Sequence, residues 1–488
     1  VRAILFFDDW PLQDCRGVDR RWFPAEPWPG LEPWRDPLLT YASITSVMRE
    51  PDTGRWRMYG GGMTDRSRSD EGVGLSLYAS ADGLDWRPWL LDRPIDKNAT
   101  PEATHLIFSG EYASHGAPFY DARDPDPQRR YKMAYSDLSP RPVAPEGTCR
   151  MAFSADGVHW RYDRQAVWRD QHTDTLFSIA FNPHTGRHQF TGRPILGDRR
   201  VALYQTDDFR SFDRPVVILH PDPADPPCVE FYGMPHFEYE GMFIGFLWRQ
   251  HGAFVDRTYA ARMKGRVDSE LAYSVNGTHW NRANRQPILP DRSFEPHSFR
   301  NEYPSCLVQD DDGWLRVYTT SCVGEHSDGS KFAPDQTIAW VTVSRWRRDG
   351  FCALESHTDV GHLTLRTLIA RGGEILLNAQ TARFGRIRAE LRMVPDDRPI
   401  PGYELDNCLP VAGDGHFLPL RWKERGTIDR FAGEPFRLCL ELDQARLYAV
   451  RVNADLLYGF VPQTSLAGDY LPNQLPGMAF NRDAAYGG

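Results

Sequence analysis

The sequence predicts an all-β protein: a five-bladed β-propeller followed by a β-sandwich. Three observations carry this. A seven-residue turn recurs, as Ser80-Ala81-Asp82-Gly83-Leu84-Asp85-Trp86, Ser154-Ala155-Asp156-Gly157-Val158-His159-Trp160 and Ser274-Val275-Asn276-Gly277-Thr278-His279-Trp280. Each copy follows a short alternating strand and, before that, an inner hairpin. Aromatic residues make up 12% of the chain and sit in short runs beside Gly, Pro, Asn or Asp, which favours strands over helices.

The turn is readable physically. Asp-Gly or Asn-Gly supplies the positive φ of a tight hairpin, and the aromatic residue then opens the return strand. Weaker copies lie at Thr206–Phe212 and Ser344–Phe351. The inner hairpins pair residues 41–48 with 55–60, 117–121 with 131–135, 176–181 with 188–191, 231–237 with 242–248, and 305–309 with 314–319. Four antiparallel strands, five times over, predict a propeller across residues 30–351, with residues 1–29 packing on it. After Cys352 the runs 363–369, 375–379, 386–393, 417–422, 436–442 and 447–452 predict a sandwich over 352–455, leaving a tail at 456–488.

Composition excludes several function classes. The net charge is −9 with no basic block, which argues against nucleic acid as a partner. No run of eighteen apolar residues exists, so no membrane-spanning helix is expected. The apolar run Ile4-Leu5-Phe6-Phe7 is too short for a signal peptide, so the expected location is cytoplasmic. The eight cysteines form no CxxC pair and read as free thiols rather than a zinc site or a disulfide framework. No phosphate-cradling Gly motif and no HExxH occurs, so no cofactor is expected. A calcium ion could sit where carbonyls and carboxylates converge. Nothing in the composition opposes a homo-oligomer.

The Ser-x-Asp-Gly-x-x-Trp turns at 80–86 and 154–160 and the strand Arg130-Tyr131-Lys132-Met133-Ala134-Tyr135 carry a family resemblance. So do Leu376-Leu377-Asn378, Gly385-Arg386-Ile387-Arg388-Ala389-Glu390, Ile400-Pro401-Gly402-Tyr403 and Arg421-Trp422-Lys423 in the C-terminal part. Together these resemble the glycoside hydrolase family 32 and 43 superfamily, and within it a bacterial branch similar to the family 32 N-terminal domain. The resemblance implies cleavage of a glycosidic bond in a small oligosaccharide or furanoside, with a carbohydrate as the partner molecule.

Such hydrolysis uses two carboxyl groups, one protonating the leaving oxygen and the other attacking or activating water. Three blades place an acid just ahead of the innermost strand: Asp174, Glu230 and Glu302. We expect Glu230 as general acid and Asp174 or Glu302 as nucleophile or base. His115 stands at the equivalent place in the second blade, whereas the first has Thr40-Tyr41-Ala42-Ser43 and no acid. This departs from the family 32 pattern of a blade 1 Asp nucleophile, for which Asp8-Asp9 could substitute. Of two Arg-Asp-Pro tripeptides, Arg123-Asp124-Pro125 reads as a turn, and Arg35-Asp36-Pro37 lies nearer the expected funnel.

Sugar contacts are expected from Tyr232, His236, Trp248, Arg249 and His251 in the fourth blade and from Arg300, Tyr303 and His326 around the fifth. Tyr232 and His236 share strand parity with Glu230. His105 and His297 are weaker candidates. Rival readings are a glycosyl transferase, a phosphorylase holding phosphate through Arg249, His251 and Arg300, a non-catalytic carbohydrate-binding propeller, and a protein-interaction platform.

Overall fold

The computed structural model describes residues 3–50, 53–64, 74–97, 99–108, 113–114, 116–137, 148–194, 198–252, 264–292, 298–326, 331–333, 336–394 and 396–457, apart from 169–177. The described residues are strands, turns and short 3-10 segments, with no α-helix among them, so the protein is all-β. The chain divides into two compact units: Pro24–Arg347, and Val1–Phe23 together with Arg348–Gly488.

The Pro24–Arg347 unit is built from five successive antiparallel meanders. The first runs through Ser46–Arg49, Trp56–Met63, Gly74–Ser80 and Arg87–Pro88, with Tyr41–Ala42 and Leu106–Phe108 adding short pairings. The second is Phe119–Tyr120, Tyr131–Asp137, Thr148–Ser154 and Arg161–Trp168. The third is Ser178–Asn182, Arg187–Gly192, Val201–Thr206 and Val216–Leu219. The fourth is Val229–Gly233 with His236–Tyr239, then Met242–Gly252, Gly265–Ser274 and Asn281–Pro287. The fifth is Phe299–Gln309, Trp314–Val323 and Ala339–Arg347, and its outer strand is Glu26–Pro27 from the start of the chain.

The recurring turns join the third and fourth strands. In the first, Ser80 Oγ accepts from the Gly83 N–H at 2.9 Å, and Asp82 Oδ1 accepts from the N–H groups of Leu84 and Asp85 at 2.8 and 3.0 Å. Ser154 with Asp156, Thr206 with Asp208, and Ser274 with Asn276 repeat this pattern. The fourth residue has positive φ in every copy: 76° at Gly83, 72° at Gly157, 60° at Phe209 and 76° at Gly277. Phe209 accepts this without being glycine because its ring packs on Phe190 and Phe153.

Each turn is gripped by the preceding meander. Tyr59 Oη donates to Gly157 O at 3.0 Å and Arg57 Nη1 to Asp156 O at 2.6 Å. Arg129 reaches Asp208 O at 3.4 Å, and Asn182 Nδ2 donates to Asn276 O at 2.9 Å. The fifth meander grips the first in the same way: Tyr318 Oη donates to Gly83 O at 2.9 Å, and Arg316 bonds to Asp82 O. Arg57 and Arg316 are each anchored by an acid of their own inner hairpin, Glu50 and Asp310. Apolar cores fill the gaps between consecutive meanders, including one that joins Ile44, Val47, Trp56 and Tyr78 of the first to Cys306, Tyr318, Val341 and Val343 of the fifth. Tyr59→Phe is expected to lower the unfolding free energy by about 1 kcal/mol, the loss of one buried hydrogen bond at a carbonyl that keeps Trp160 Nε1 as donor at 3.1 Å, measurable by urea denaturation.

Two expectations need correction. Of residues 1–29, expected to pack on the propeller, Glu26–Pro27 joins Ala339–Arg347, whereas Ala3–Leu5, Leu12–Arg16 and Asp19–Trp22 are hydrogen-bonded strands of the other unit, pairing with Pro435–Leu456, Gly361–Leu365 and Cys352–Glu355. The fifth turn copy is also displaced. Its positive-φ residue is Asp349, at 60°, so the repeat starts two residues after Ser344. The chain then leaves for the other unit, and Glu26–Pro27 takes the vacant outer position.

The other unit is dominated by two long paired strands, Leu368–Met393 and Pro435–Leu456, with Ile375 opposite Val452 and Met393 opposite Phe436. Its core gathers Leu377, Ile387, Leu391, Tyr403, Trp422, Phe436, Leu440 and Leu447, with Phe6 and Leu12 from the N-terminal strands. Buried Asp349 is held by Arg451 and by Asn378 Nδ2 at 2.9 Å.

Candidate active site

In an antiparallel meander the first strand begins, and the second and third strands join, at the same end of the sheet. Glu230, Tyr232, Glu302 and Tyr303 therefore share one end of the unit with the connections around Arg193–Arg199 and His326. The repeated turns and their grips lie at the opposite end.

One small core marks where this end closes. Ala117 of the second meander, Trp248 and Val267 of the fourth, and the partly buried Tyr232 and Tyr303 pack together. No grip joins the second meander to the fourth or the fifth, so this core brings together meanders that are otherwise apart. Trp248 Nε1 donates to Pro304 O at 2.9 Å, and its ring lies 5.2 Å from Tyr303. The Tyr232 and Tyr303 rings are 6.0 Å apart, and Tyr232 Oη hydrogen-bonds His326 Nε2 at 2.9 Å.

Glu230 stands on this cluster. Its Oε2 is ion-paired with Arg199, whose Nη1 also donates to Gln250 Oε1 at 3.0 Å. The Arg199 guanidinium lies 5.3 Å from the Tyr232 ring centre and that of Arg193 lies 5.0 Å from it. One carboxylate, two guanidinium groups and two phenol rings thus share a partly exposed site. Polar edges beside aromatic faces are what a sugar ring needs.

Glu302 precedes Tyr303 in a regular stretch of strand and so points to the other face. Its Oε1 accepts from Ser321 Oγ at 3.3 Å and lies 3.9 Å from Arg292 Nη1. Burial, assisted by the Glu302 charge, pushes the neighbouring Cys322 thiol up to about 12, so it stays protonated at neutral pH. Asp174, His115 and His297 lie outside the described residues.

Several expected contacts are corrected. His236 does not line the site. It is 1% exposed and packs against Phe243 and Trp280, with Nδ1 bonded to Thr191 Oγ1 at 3.0 Å. The parity with Glu230 fails at a register shift between Phe231 and Gly233, after which His236 starts a separate strand. Arg249 and His251 alternate with Trp248 and Gln250 and face the other way. Arg249 bonds Asp268 at 2.8 Å and Glu270 at 3.0 Å, and His251 bonds Asp268 at 2.9 Å. That pairing commits Arg249 and His251 to Asp268 and Glu270. Arg300 is exposed beside a second register shift. Asp9 belongs to the other unit, where it is exposed and paired with Arg20. In Arg35-Asp36-Pro37 the carboxylate is buried, bonded to Tyr78 Oη, His105 Nε2 and Leu38 N at 2.7–2.8 Å. Burial would raise the Asp36 carboxyl, but the bonds from His105, Leu38 and Tyr78 outweigh it and hold it below its ordinary value. Arg123-Asp124-Pro125 lies in the turn before Tyr131–Asp137, where Asp124 bonds Lys132 at 2.8 Å.

Arg193, Arg199 and Gln250 were not foreseen. The topological rule that exposed the acids also applies to the connection between second and third strands, and it would have found both arginines. Among the described residues no group of three or more His, Cys, Asp or Glu side chains is placed to hold a metal ion. No helix among them is long and apolar enough to cross a membrane.

The buried His236 gives a pH prediction. Burial holds its imidazole down at about 3, against 6.5 ordinarily. Between those values the unfolded chain binds a proton that the folded chain does not. The stability contribution is therefore complete above about pH 6.5 and is lost as pH falls toward 3. The urea midpoint should be lower at about pH 5 than at about pH 7, and His236→Asn should narrow that difference.

No protein-family model matches the chain, and no curated protein matches it. Among solved structures, the chain is similar to an N-acetylgalactosamine deacetylase from F. plautii, at 15% identity, covering 68% of this chain and 96% of that one with a TM-score of 0.43. It is similar to a GH32 beta-fructofuranosidase from Bombyx mori, at 13% identity, 88% and 96% coverage and a TM-score of 0.40. It is also similar to a GH43 alpha-L-arabinofuranosidase from Clostridium thermocellum, at 10% identity, 65% and 93% coverage and a TM-score of 0.39.

Proposed function

We propose that residues 24–347 form a five-bladed propeller that hydrolyses a glycosidic bond at the end carrying Glu230, with a β-sandwich built from the other unit. Two features support the propeller: a shared grip links the first four meanders in order and returns from the fifth to the first, with Val267 of the fourth paired to Asn301 of the fifth, and three meanders meet in one small core. The observation that carries the activity is Glu230 ion-paired with Arg199, whose guanidinium lies 5.3 Å from the Tyr232 ring, itself 6.0 Å from that of Tyr303.

In this reading Glu230, in its protonated form, gives its proton to the leaving oxygen as the bond to the anomeric carbon breaks. A second carboxylate, Asp174 in this reading because Glu302 faces away from Tyr303, attacks that carbon or takes the proton of an attacking water. Its separation from Glu230 sets the stereochemical outcome: about 5–5.5 Å for retention and about 6.5–9.5 Å for inversion. Tyr232 and Tyr303 supply a stacking surface, and His326 hydrogen-bonds hydroxyl groups. The substrate class is a small oligosaccharide or furanoside.

The test is a panel of p-nitrophenyl glycosides together with fructo- and arabino-oligosaccharides, assayed with the wild-type chain, Glu230→Gln and Asp174→Asn. Turnover that both variants abolish supports the assignment. Turnover unaffected by either removes it, and sugar binding without turnover in the wild type would mark a carbohydrate-binding module instead.

A further inference from the structure

We infer that Trp248, together with Ser305, is a positioning residue that sets the aim of the Tyr303 ring across the site; this rests on the sugar-binding site proposed above. Tyr232 and Tyr303 come from different meanders, so no single strand fixes the 6.0 Å between their rings. Trp248 spans that joint. It belongs to the fourth meander, yet its Nε1 donates to Pro304 O of the fifth at 2.9 Å, and its ring meets Tyr303 edge to face at 5.2 Å and 76°. Beside it, Val267 N donates to Asn301 Oδ1 at 2.8 Å across the same joint. Trp248 is 5% exposed and packs against Ala117 and Val267, so it is itself held.

The backbone just after Tyr303 is irregular. Its ladder with Trp314–Val323 shifts register between Pro304 and Cys306. Such a shift re-aims the side chains beside it. Two side-chain donors secure this stretch: Trp248 Nε1 on Pro304 O, and Ser305 Oγ on Tyr303 O at 3.0 Å. Together they decide where the Tyr303 ring points. A ring ordered in advance loses less side-chain freedom when a sugar stacks on it, so binding is tighter. Stacking holds the bound sugar and its transition state alike, so a misplaced ring raises KM and leaves kcat nearly unchanged. Trp248 does this through Tyr303.

The experiment measures kcat and KM of Trp248→Phe, Ser305→Ala, Tyr303→Ala and the double variant carrying Trp248→Phe and Tyr303→Ala, on the aryl glycosides that the wild type turns over. Trp248→Phe keeps a ring against Tyr303 but loses the donor. It should raise KM about tenfold with kcat changed less than about threefold. Ser305→Ala should raise KM about threefold. Adding Trp248→Phe to Tyr303→Ala should change KM by less than about twofold, because the ring it positions is already gone. Wild-type KM in Trp248→Phe, with Glu230→Gln inactive, overturns the inference and leaves the activity assignment standing. So does an equal KM penalty with and without Tyr303, which marks Trp248 as a packing residue only. If Trp248→Phe does not fold, Ser305→Ala decides in its place, and a wild-type KM there overturns the inference. Wild-type rates in Glu230→Gln, or no turnover of any panel member by the wild type, overturn the activity assignment and this inference with it.

Discussion

Glu230→Gln is expected to lower turnover about a thousandfold, the middle of the range for removing a positioned proton donor. The amide has the size of the carboxyl group, and its oxygen can still accept from Arg199. Folding should therefore survive, and an unchanged thermal midpoint is the control. The loss should depend on the leaving group. A dinitrophenyl glycoside needs little proton assistance, so the variant should lose far less with it than with an alkyl glycoside. If the deficit is the same for both, and added azide accelerates the variant, Glu230 is the nucleophile and the proton donor lies elsewhere.

Gly157→Ala is the second large effect, and it concerns stability. Gly157 sits at φ 72°, where an L side chain is disfavoured. A Cβ there would also overlap Arg57 Nη1 and Tyr59 Oη, the two groups that grip the turn. The left-handed backbone costs roughly 1–2 kcal/mol. Displacing buried donors from their carbonyls adds about 1–3 kcal/mol. A loss of about 3 kcal/mol or more in urea unfolding is expected. Gly186→Ala is the control: φ is 70° but nothing lies within 4 Å, so only the backbone cost of about 1 kcal/mol applies. Equal losses in the two variants would mean that the grip contributes nothing.

The strong turn copies were legible because Ser, Asp or Asn, and Gly each do a separate job in them, and those jobs need those residue types. The copy at Thr206 was faint because Phe209 takes the left-handed position and is secured by ring packing that sequence cannot display. The fifth copy was misplaced by two residues because Ser344 mimics the start of the motif while Asp349 makes the turn. The N-terminal strands went unread as such because strands of three to five residues at sheet positions set by remote partners carry little periodicity of their own. At the site, strand parity with Glu230 grouped Tyr232 with His236. It misled at His236, where a register shift intervenes. Arg249 and His251 were grouped with Trp248 by proximity in sequence, although alternation sends them to the opposite face and into the embrace of Asp268 and Glu270.

The strands between Ala3 and Trp22 find their partners only after Gly350, so the whole of Pro24–Arg347 is an insertion within a host domain. Its termini are zipped together, Glu26 against Arg345 and Pro27 against Ser344. An insert whose ends already touch imposes on its host little more loop-closure entropy than a short linker would. The paired ends thus hold the two distant pieces of the host close to each other, so the insert acts on its host as a short bridge.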